Sequence, residues 1–404
     1  MMTGLFDPAR HEPLEGRPWN EADAREAIGH IVESTLAAYE PGRGWLAHPL
    51  DEPQPPVDRF YNLYFGAGGV IWALQHLWKS GAVEALPDFR PFVGTLRESN
   101  QPLLADSRHG NASFLFGDAG LDLLHWTLQP SEALSQRLFR TVQGNVHNAA
   151  REALWGNPGT VLAAIHMAEA TGESCWASLV GEALAALLSE MEFDGDTGTW
   201  LWVQNLYDRP PLRYLGAGHG FAGNVYPFLR GAALLPANQV TLVLERALAT
   251  LQATAQHADG GTNWFPGINP QRPAHWLPPV QDCHGAPGVI CRLAAAPSTP
   301  EWDTLLLRAG ALTWHAGPLS KGAGLCHGTA GSGFAMLKLW RRSGDAVWLQ
   351  RARALAMHAC GQVERHRSRY GQGRHSLWTG DLGLACLLWN CISGSEAFPT
   401  LDVF

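Results

Sequence analysis

The chain has 404 residues, 46% of them apolar and 16% charged, with a formal net charge of -8. That length allows one large domain or two or three ordinary ones around a substantial core. The negative balance excludes the bulk basic character that holds nucleic acid or anionic lipid.

The opening stretch, MMTGLFDPARHEPLEGRPW, has no basic start leading into an apolar run. No signal peptide is read there, and residues 1–20 are expected as an extended lead-in. No apolar run reaches the ~18 residues a spanning helix needs. A soluble, cytoplasmic chain without a transmembrane segment is expected. NEADAREAIGHIVESTLAAY follows, with Asn20 as N-cap, Asp23 three residues on, and Ile28, Ile31 and Leu36 on the apolar face.

A repeat then begins. FGAGGVIWALQHL (Gly66, Gly69), FGDAGLDLLHWTL (Gly117, Gly120) and WGNPGTVLAAIHMA (Gly156, Gly159) each join Gly-x-x-Gly to an apolar run. HGFAGNVYPFLRGA (Gly220, Gly223), HGAPGVICRLAA (Gly285, Gly288), HGTAGSGFAMLKLW (Gly328, Gly331) and TGDLGLACLLWN (Gly380, Gly383) continue it. The seven copies stand 39 to 65 residues apart. Amphipathic helices lie between them, such as SEALSQRLFRTVQ, PANQVTLVLERALATLQATAQH and GDAVWLQRARALAMHACGQV. A helix apolar all round is buried on every side. Seven pairs of this kind predict an all-α fold, an α/α toroid with seven inner and seven outer helices, in one domain over 1–404 with its repeats at about 60–395. TWLWVQ and TNWFPG are left as small β pieces or loops. DGDTG at 194–198 reads as a turn, lacking the downstream Glu of a calcium loop, and ADGGTNWFP at 258–266 reads as a loop over the site.

Seven cysteines are scattered without a disulfide spacing. Cys175, Cys291, Cys360, Cys386 and Cys391 sit in apolar helical text and read as core filler. Cys283 and Cys326 differ, because each precedes a His and a Gly-x-x-Gly. The residues ahead of the seven first glycines are Phe65, Phe116, Trp155, His219, His284, His327 and Thr379. Histidine thus occupies three consecutive copies, and two of those add Cys.

Cys283, Cys326 and His327 make a zinc set of two thiolates and an imidazole, leaving one tetrahedral position open. Such a site activates water poorly but suits holding a substrate thiol as thiolate. A thiolate attacking an electrophilic alkene leaves an enolate that needs a proton. His219, one repeat away, is the first candidate for that acid. His284 reads equally as catalytic or as support for the ligand beside it. Glu152, four residues before Gly156, reads as a base, an orienting carboxylate or an ordinary helix-end acid.

These motifs, YLGAGHGFAG (214–223), VQDCHGAPGVI (280–290) and GLCHGTAGSGFAMLKLW (324–340), resemble the lanthionine synthetase C-like family. The resemblance covers roughly 60–390. It implies an α/α toroid with one zinc per chain on Cys283, Cys326 and His327, a catalytic His at His219, and an acidic residue at Glu152 where peptide cyclases tend to have Asp. It implies addition of a thiol, either a peptide cysteine or glutathione, to a dehydroamino acid in a dehydrated peptide or protein, with a monomer as the working unit. WLPPVQDC, with Pro278 and Pro279, stands where cyclases often carry Arg. The wording is nearer the stand-alone, eukaryotic-like branch. A non-catalytic zinc- and glutathione-binding protein is the alternative reading. A zinc prenyltransferase would need a diphosphate-binding cluster of Lys and Arg, and only Lys79, Lys321 and Lys338 are lysines. A glycoside-active toroid would need paired carboxylates, and Asp118, Glu152 and Asp381 are scattered.

Overall fold

Every second helix of the chain starts at a Gly-x-x-Gly. A computed structural model describes residues 4–51, 57–207, 210–269, 272, 273 and 275–404. In chain order the helices are α1 (Glu21–Ala37), α2 (Ala67–Lys79), α3 (Arg90–Leu104), α4 (Asp118–Leu128), α5 (Glu132–Gly144), α6 (Asn157–Thr171) and α7 (Ser174–Ser189). They continue with α8 (Phe221–Arg230), α9 (Ala237–Thr254), α10 (Ala286–Leu293), α11 (Pro300–Ala316), α12 (Thr329–Ser343), α13 (Ala346–Tyr370) and α14 (Asp381–Ser393). The even-numbered helices are the Gly-x-x-Gly ones. In α6 every residue from Asn157 to Ala168 is buried. Of the odd-numbered helices, α1 buries one stripe, Ala24, Ile28, Ile31, Val32 and Thr35, with Leu36 half-buried at the edge, whereas α13 buries every residue from Leu355 to Val363. Asn20 caps α1 as expected, its Oδ1 accepting from the amides of Ala22 and Asp23 at 2.8 and 3.3 Å.

The described residues form two compact units. One comprises the segment through Pro8, Asp106–Ala119 and Ser135–Ala316; the other comprises Ala9–Ala105, Gly120–Leu134 and Gly317–Phe404. In the first, α6 packs on α7 and α8, α8 on α10, and α10 on α11. In the second, α12 packs on α13 and α14, and α14 packs on both α1 and α2. The last repeat therefore rests on the first. Among the described residues no helix is long and apolar enough to cross a membrane.

The Gly-x-x-Gly has a specific physical task. The first N–H groups of a helix have no partner within it. Before α2, α4, α8, α12 and α14 the chain folds back as a hook and supplies carbonyls seven residues upstream. Ala67 N donates to Phe60 O at 3.0 Å, Gly68 N to Tyr61 O at 3.0 Å and Gly69 N to Asn62 O at 3.3 Å. The same step joins Asp118 to Asn111, Ala222 to Leu215, Thr329 to Gly322 and Asp381 to Arg374. A hook this tight leaves no room for side chains. A Cβ on Gly66 would collide with the Phe60 carbonyl, and one on Gly69 with the carbonyl of Leu63.

Six short strands pair as three antiparallel ribbons: β1 (Glu192–Asp194) with β2 (Thr199–Leu201), β3 (Arg213–Tyr214) with β6 (Gly267–Ile268), and β4 (Gln256–Ala258) with β5 (Gly261–Asn263). DGDTG is the β1–β2 turn, with Asp194 Oδ1 accepting from Asp196 N at 3.0 Å. Two expectations are corrected. Residues 258–263 are part of a hairpin, Ala258 pairing with Gly261, where a loop was expected. Cys175 is exposed, because α7 buries the stripe Trp176, Leu179, Val180, Ala183, Leu184, Leu187 and Cys175 falls beside it. The lead-in contains a 3-10 turn at Pro8–Arg10 and is tied to α13, Glu12 Oε1 meeting His358 Nε2 and Gln362 Nε2 at 2.6 Å each.

Gly69→Ala should lower stability by about 1–3 kcal/mol or more, since backbone must move to admit the methyl group. Gly29→Ala, on α1 with nothing near its added Cβ, should be neutral or stabilising by up to about 1 kcal/mol. Denaturant unfolding of the two variants checks this, and equal effects would remove the steric account of the hook.

Candidate active site

His219 and Glu152 stand on neighbouring hooks of the first unit. Glu152 is fully buried. One carboxylate oxygen accepts from Trp155 N at 2.6 Å; the other accepts from Leu154 N at 3.1 Å and meets His219 Nδ1 at 2.8 Å. Asn62 fills the same slot in the first copy, its Oδ1 accepting from Tyr64 N and Phe65 N at 3.1 and 2.8 Å. The slot four residues before the first glycine thus fastens the hook. Glu152 is long enough to fasten its own hook and still reach the imidazole, so it is no ordinary helix-end acid. The carboxylate faces Nδ1, so Nε2 is the ring nitrogen on the side away from Glu152. Asn224 of α8 ties the two hooks together, donating to Arg151 O at 2.8 Å. The His284 ring lies 5.8 Å from that of His219, its plane tilted by 28°.

The Cys283 hook is built differently. Its backbone carbonyl accepts from Gly218 N at 3.0 Å. Asn263, buried on β5, inserts its side chain: Nδ2 donates to Pro279 O at 3.2 Å and Oδ1 accepts from Ala286 N at 2.8 Å. The amide bridges the groups that bond directly in other copies, and Gly285 takes a φ of 113° that favours glycine. The hairpin is therefore a brace under the hook. Gln281 Nε2 donates to Cys283 Sγ at 2.9 Å. Asp282 and Arg292, both buried, pair at 2.8 Å. Sequence reasoning missed Asn263, Gln281 and this ion pair. Gln281 was findable, because it occupies the slot of Asn62 and Glu152; Asn263 carried no signal in its local sequence.

In the second unit Cys326 N donates to Trp378 O at 2.9 Å, and Cys326 Sγ stands 3.7 Å from His327 Nε2. Ligands at ordinary zinc distances on a tetrahedron have S and N about 3.6 Å apart. Cys326 Sγ and His327 Nε2 at that separation fit two corners of a zinc site; Cys283, the third donor of the expected set, lies in the first unit. Of the buried thiols outside this set, burial pushes Cys360, Cys386 and Cys391 up to about 12, so these three stay protonated. His327 also walls a cavity of about 500 Å³ with Lys321, Arg369, Arg374, His366 and Asp51 among its lining. Arg374 pairs with Asp51. Burial and the Arg374 and Arg365 charges hold His366 below its ordinary value, so Lys321 and Arg369 give the cavity its positive charge.

Residues 51–403 match the profile of the family described as lanthionine synthetase C-like protein. Glutathione S-transferase LANCL1 of Danio rerio is 29% identical over 204 residues, 49% of this chain and 48% of the relative. LanC-like protein GCL1 of Arabidopsis thaliana is 29% identical over 209 residues, 49% of this chain and 45% of the relative. The chain thus spans about half the length of the curated relatives it matches. The solved structure of a nisin cyclase superposes with a TM-score of 0.60 at 12% identity, covering 93% of this chain and 95% of that one. The fold is the α/α toroid expected from the repeats.

Asp381, in the last Gly-x-x-Gly, accepts from Arg374 N at 3.1 Å, and its burial pushes it up to about 7. A carboxyl raised above its unfolded value of 3.8 contributes stability that is full below that value and is lost as pH rises through about 7. Asp381→Asn keeps the acceptor and removes the titration. Relative to this variant, the unaltered chain should lose about 4 kcal/mol of unfolding free energy between pH 4 and pH 8. Parallel pH dependences in urea titrations would count against it.

Proposed function

The chain belongs to the lanthionine synthetase C-like family, and from that premise we propose that it adds a thiol to a dehydroamino acid residue, forming a thioether, with zinc held by Cys283, Cys326 and His327. One observation carries the reading: the imidazole of His219, oriented by the buried Glu152, stands one ring away from His284, the neighbour of Cys283. Zinc on such a set lowers the pKa of a substrate thiol toward neutrality.

The chain's own residues do the rest. The thiolate sulfur bonds the β-carbon of the alkene, and the π pair moves to the α-carbon. His219 delivers the proton from Nε2 to that α-carbon. Glu152 holds Nδ1, keeps the ring in one orientation and stabilises its charged form before transfer. His284 stacks beside His219 and supports the Cys283 hook. Lys321 and Arg369, beside His327, suit the carboxylates of a thiol such as glutathione, which the name of the Danio rerio relative also favours. The electrophile is a dehydrated peptide or protein. On this reading residues 1–404 act as one domain, a monomer in the cytoplasm, where glutathione keeps thiols reduced.

Cys326→Ala should take zinc from about one per chain to near none, because two remaining donors hold the ion far more weakly; elemental analysis after dialysis reads this, and full zinc would exclude Cys326. His219→Ala should keep zinc and thiol binding while slowing addition of glutathione to a dehydroalanine peptide by ~10²–10⁴. Adduct formation followed by mass tests it. Undiminished addition would pass the acid role to His284 or water, and thiol binding without any adduct from the unaltered protein would reduce the chain to a zinc- and glutathione-binding protein.

A further inference from the structure

The position before the first glycine carries His219 and His284 in two consecutive repeats, and Phe116 and Trp155 in the two before them. Phe116 and Trp155 stack with ring centroids 5.0 Å apart and planes at 26°. His109 lies flat on Trp155 at 4.9 Å and 23°, and Tyr207 adds a fourth ring 5.2 Å from His109. A cavity of about 570 Å³ is walled by these last three rings together with His219, Leu206 and Arg108. Its size is that of a small-ligand site.

This shelf is held rigidly. Trp155 N donates to the Glu152 carboxylate that orients His219, and Trp155 O accepts from Asn145 Nδ2 at 3.1 Å. One buried carboxylate therefore sets both the aromatic wall and the imidazole. Tyr207, exposed at the rim, sits at a φ of 53°, unusual for a side-chain-bearing residue, with its amide bonded to Asn205 Oδ1 at 3.1 Å. Arg108 is offset by Asp106 in the same lining. Unlike the cavity at His327, this one has no excess charge, and flat rings dominate its walls.

We infer that this cavity is the subsite for the electrophile, and that it selects peptides with an aromatic or large apolar side chain next to the dehydroamino acid. The inference rests on the proposed thiol addition, and its logic is geometric. The α-carbon that receives the proton must lie within reach of His219 Nε2, so the peptide on either side of it occupies the cavity that His219 walls. A cavity lined by Trp155, His109 and Tyr207 rewards a flat side chain placed against those rings, while Asp106 and Arg108 cancel any net preference for one sign of charge.

The test uses the full chain, glutathione, and two short peptides that differ only in having Phe or Gly beside dehydroalanine. Their saturated counterparts, with Ala in place of dehydroalanine and a fluorescent label, report binding without chemistry. The Phe peptide should be preferred roughly tenfold in kcat/KM and in affinity. Trp155→Ala should bring that ratio close to one, Trp155→Phe should keep most of it, and Tyr207→Ala, which alters an exposed ring, should reduce it without affecting folding. Zinc content and thermal unfolding verify each variant. Adducts formed at equal rates from both peptides, or a preference untouched by Trp155→Ala and Tyr207→Ala, would overturn the subsite and leave thiol addition standing. No adduct from either peptide, with Trp155-dependent binding of the labelled Phe peptide, would overturn thiol addition and keep the subsite.

Discussion

The hydrogen bond from a helix's first amides to carbonyls seven residues upstream is the constraint on which the molecule depends. It satisfies donors that would otherwise be orphaned in a dry interior. It forces glycine where the hook's carbonyls press on the helix start, as at Gly66 and Gly69. It also sets where the residue before the first glycine stands. His219 and His327 owe their positions to this backbone geometry, which recurs in five of the seven copies while the side chains change, and in the His284 copy the Asn263 side chain stands in for it. Function enters as substitution on a fixed bracket.

Burying charge on such a bracket costs several kcal/mol unless a partner is built in. The molecule meets that cost in three ways. Glu152 spreads its charge over two backbone amides and the His219 ring. Asp282 pairs with Arg292 beside the Cys283 hook. Asp381 accepts from the Arg374 amide and feels the Arg367 and Arg374 charges, yet burial outweighs them and pushes it to about 7. In the first arrangement the carboxylate that closes a hook also holds the His219 ring. The second holds a ligand-bearing loop.

The two cavities carry opposite chemistry. Lys321 and Arg369 make the one at His327 positive, while Trp155, His109 and Tyr207 make the one at His219 flat and neutral. Gln281 adds to the design at the sulfur itself, its amide placing positive charge density 2.9 Å from Cys283 Sγ.

Much of this was legible before any coordinates. Seven Gly-x-x-Gly copies, each followed by an apolar run, determined the alternation of helices, because helix burial is written in the period of apolar residues. Cys-His before two of those copies determined the soft donor set, and Glu152 and His219 stood out by their offsets from glycine. What tertiary structure alone decided is how those offsets meet. The His219–Glu152 bond joins residues 67 apart, and no local pattern encodes a contact at that separation. Asn263 entering the Cys283 hook, and Cys175 lying off the buried stripe of α7, follow from packing between elements. The ring of aromatics around His219 draws on Trp155, His109 and Tyr207 from three separate segments. Spacing along the chain fixes which residues share a helix face or a hook; which hooks and loops touch is settled only when helices pack, because that depends on shape across the whole core.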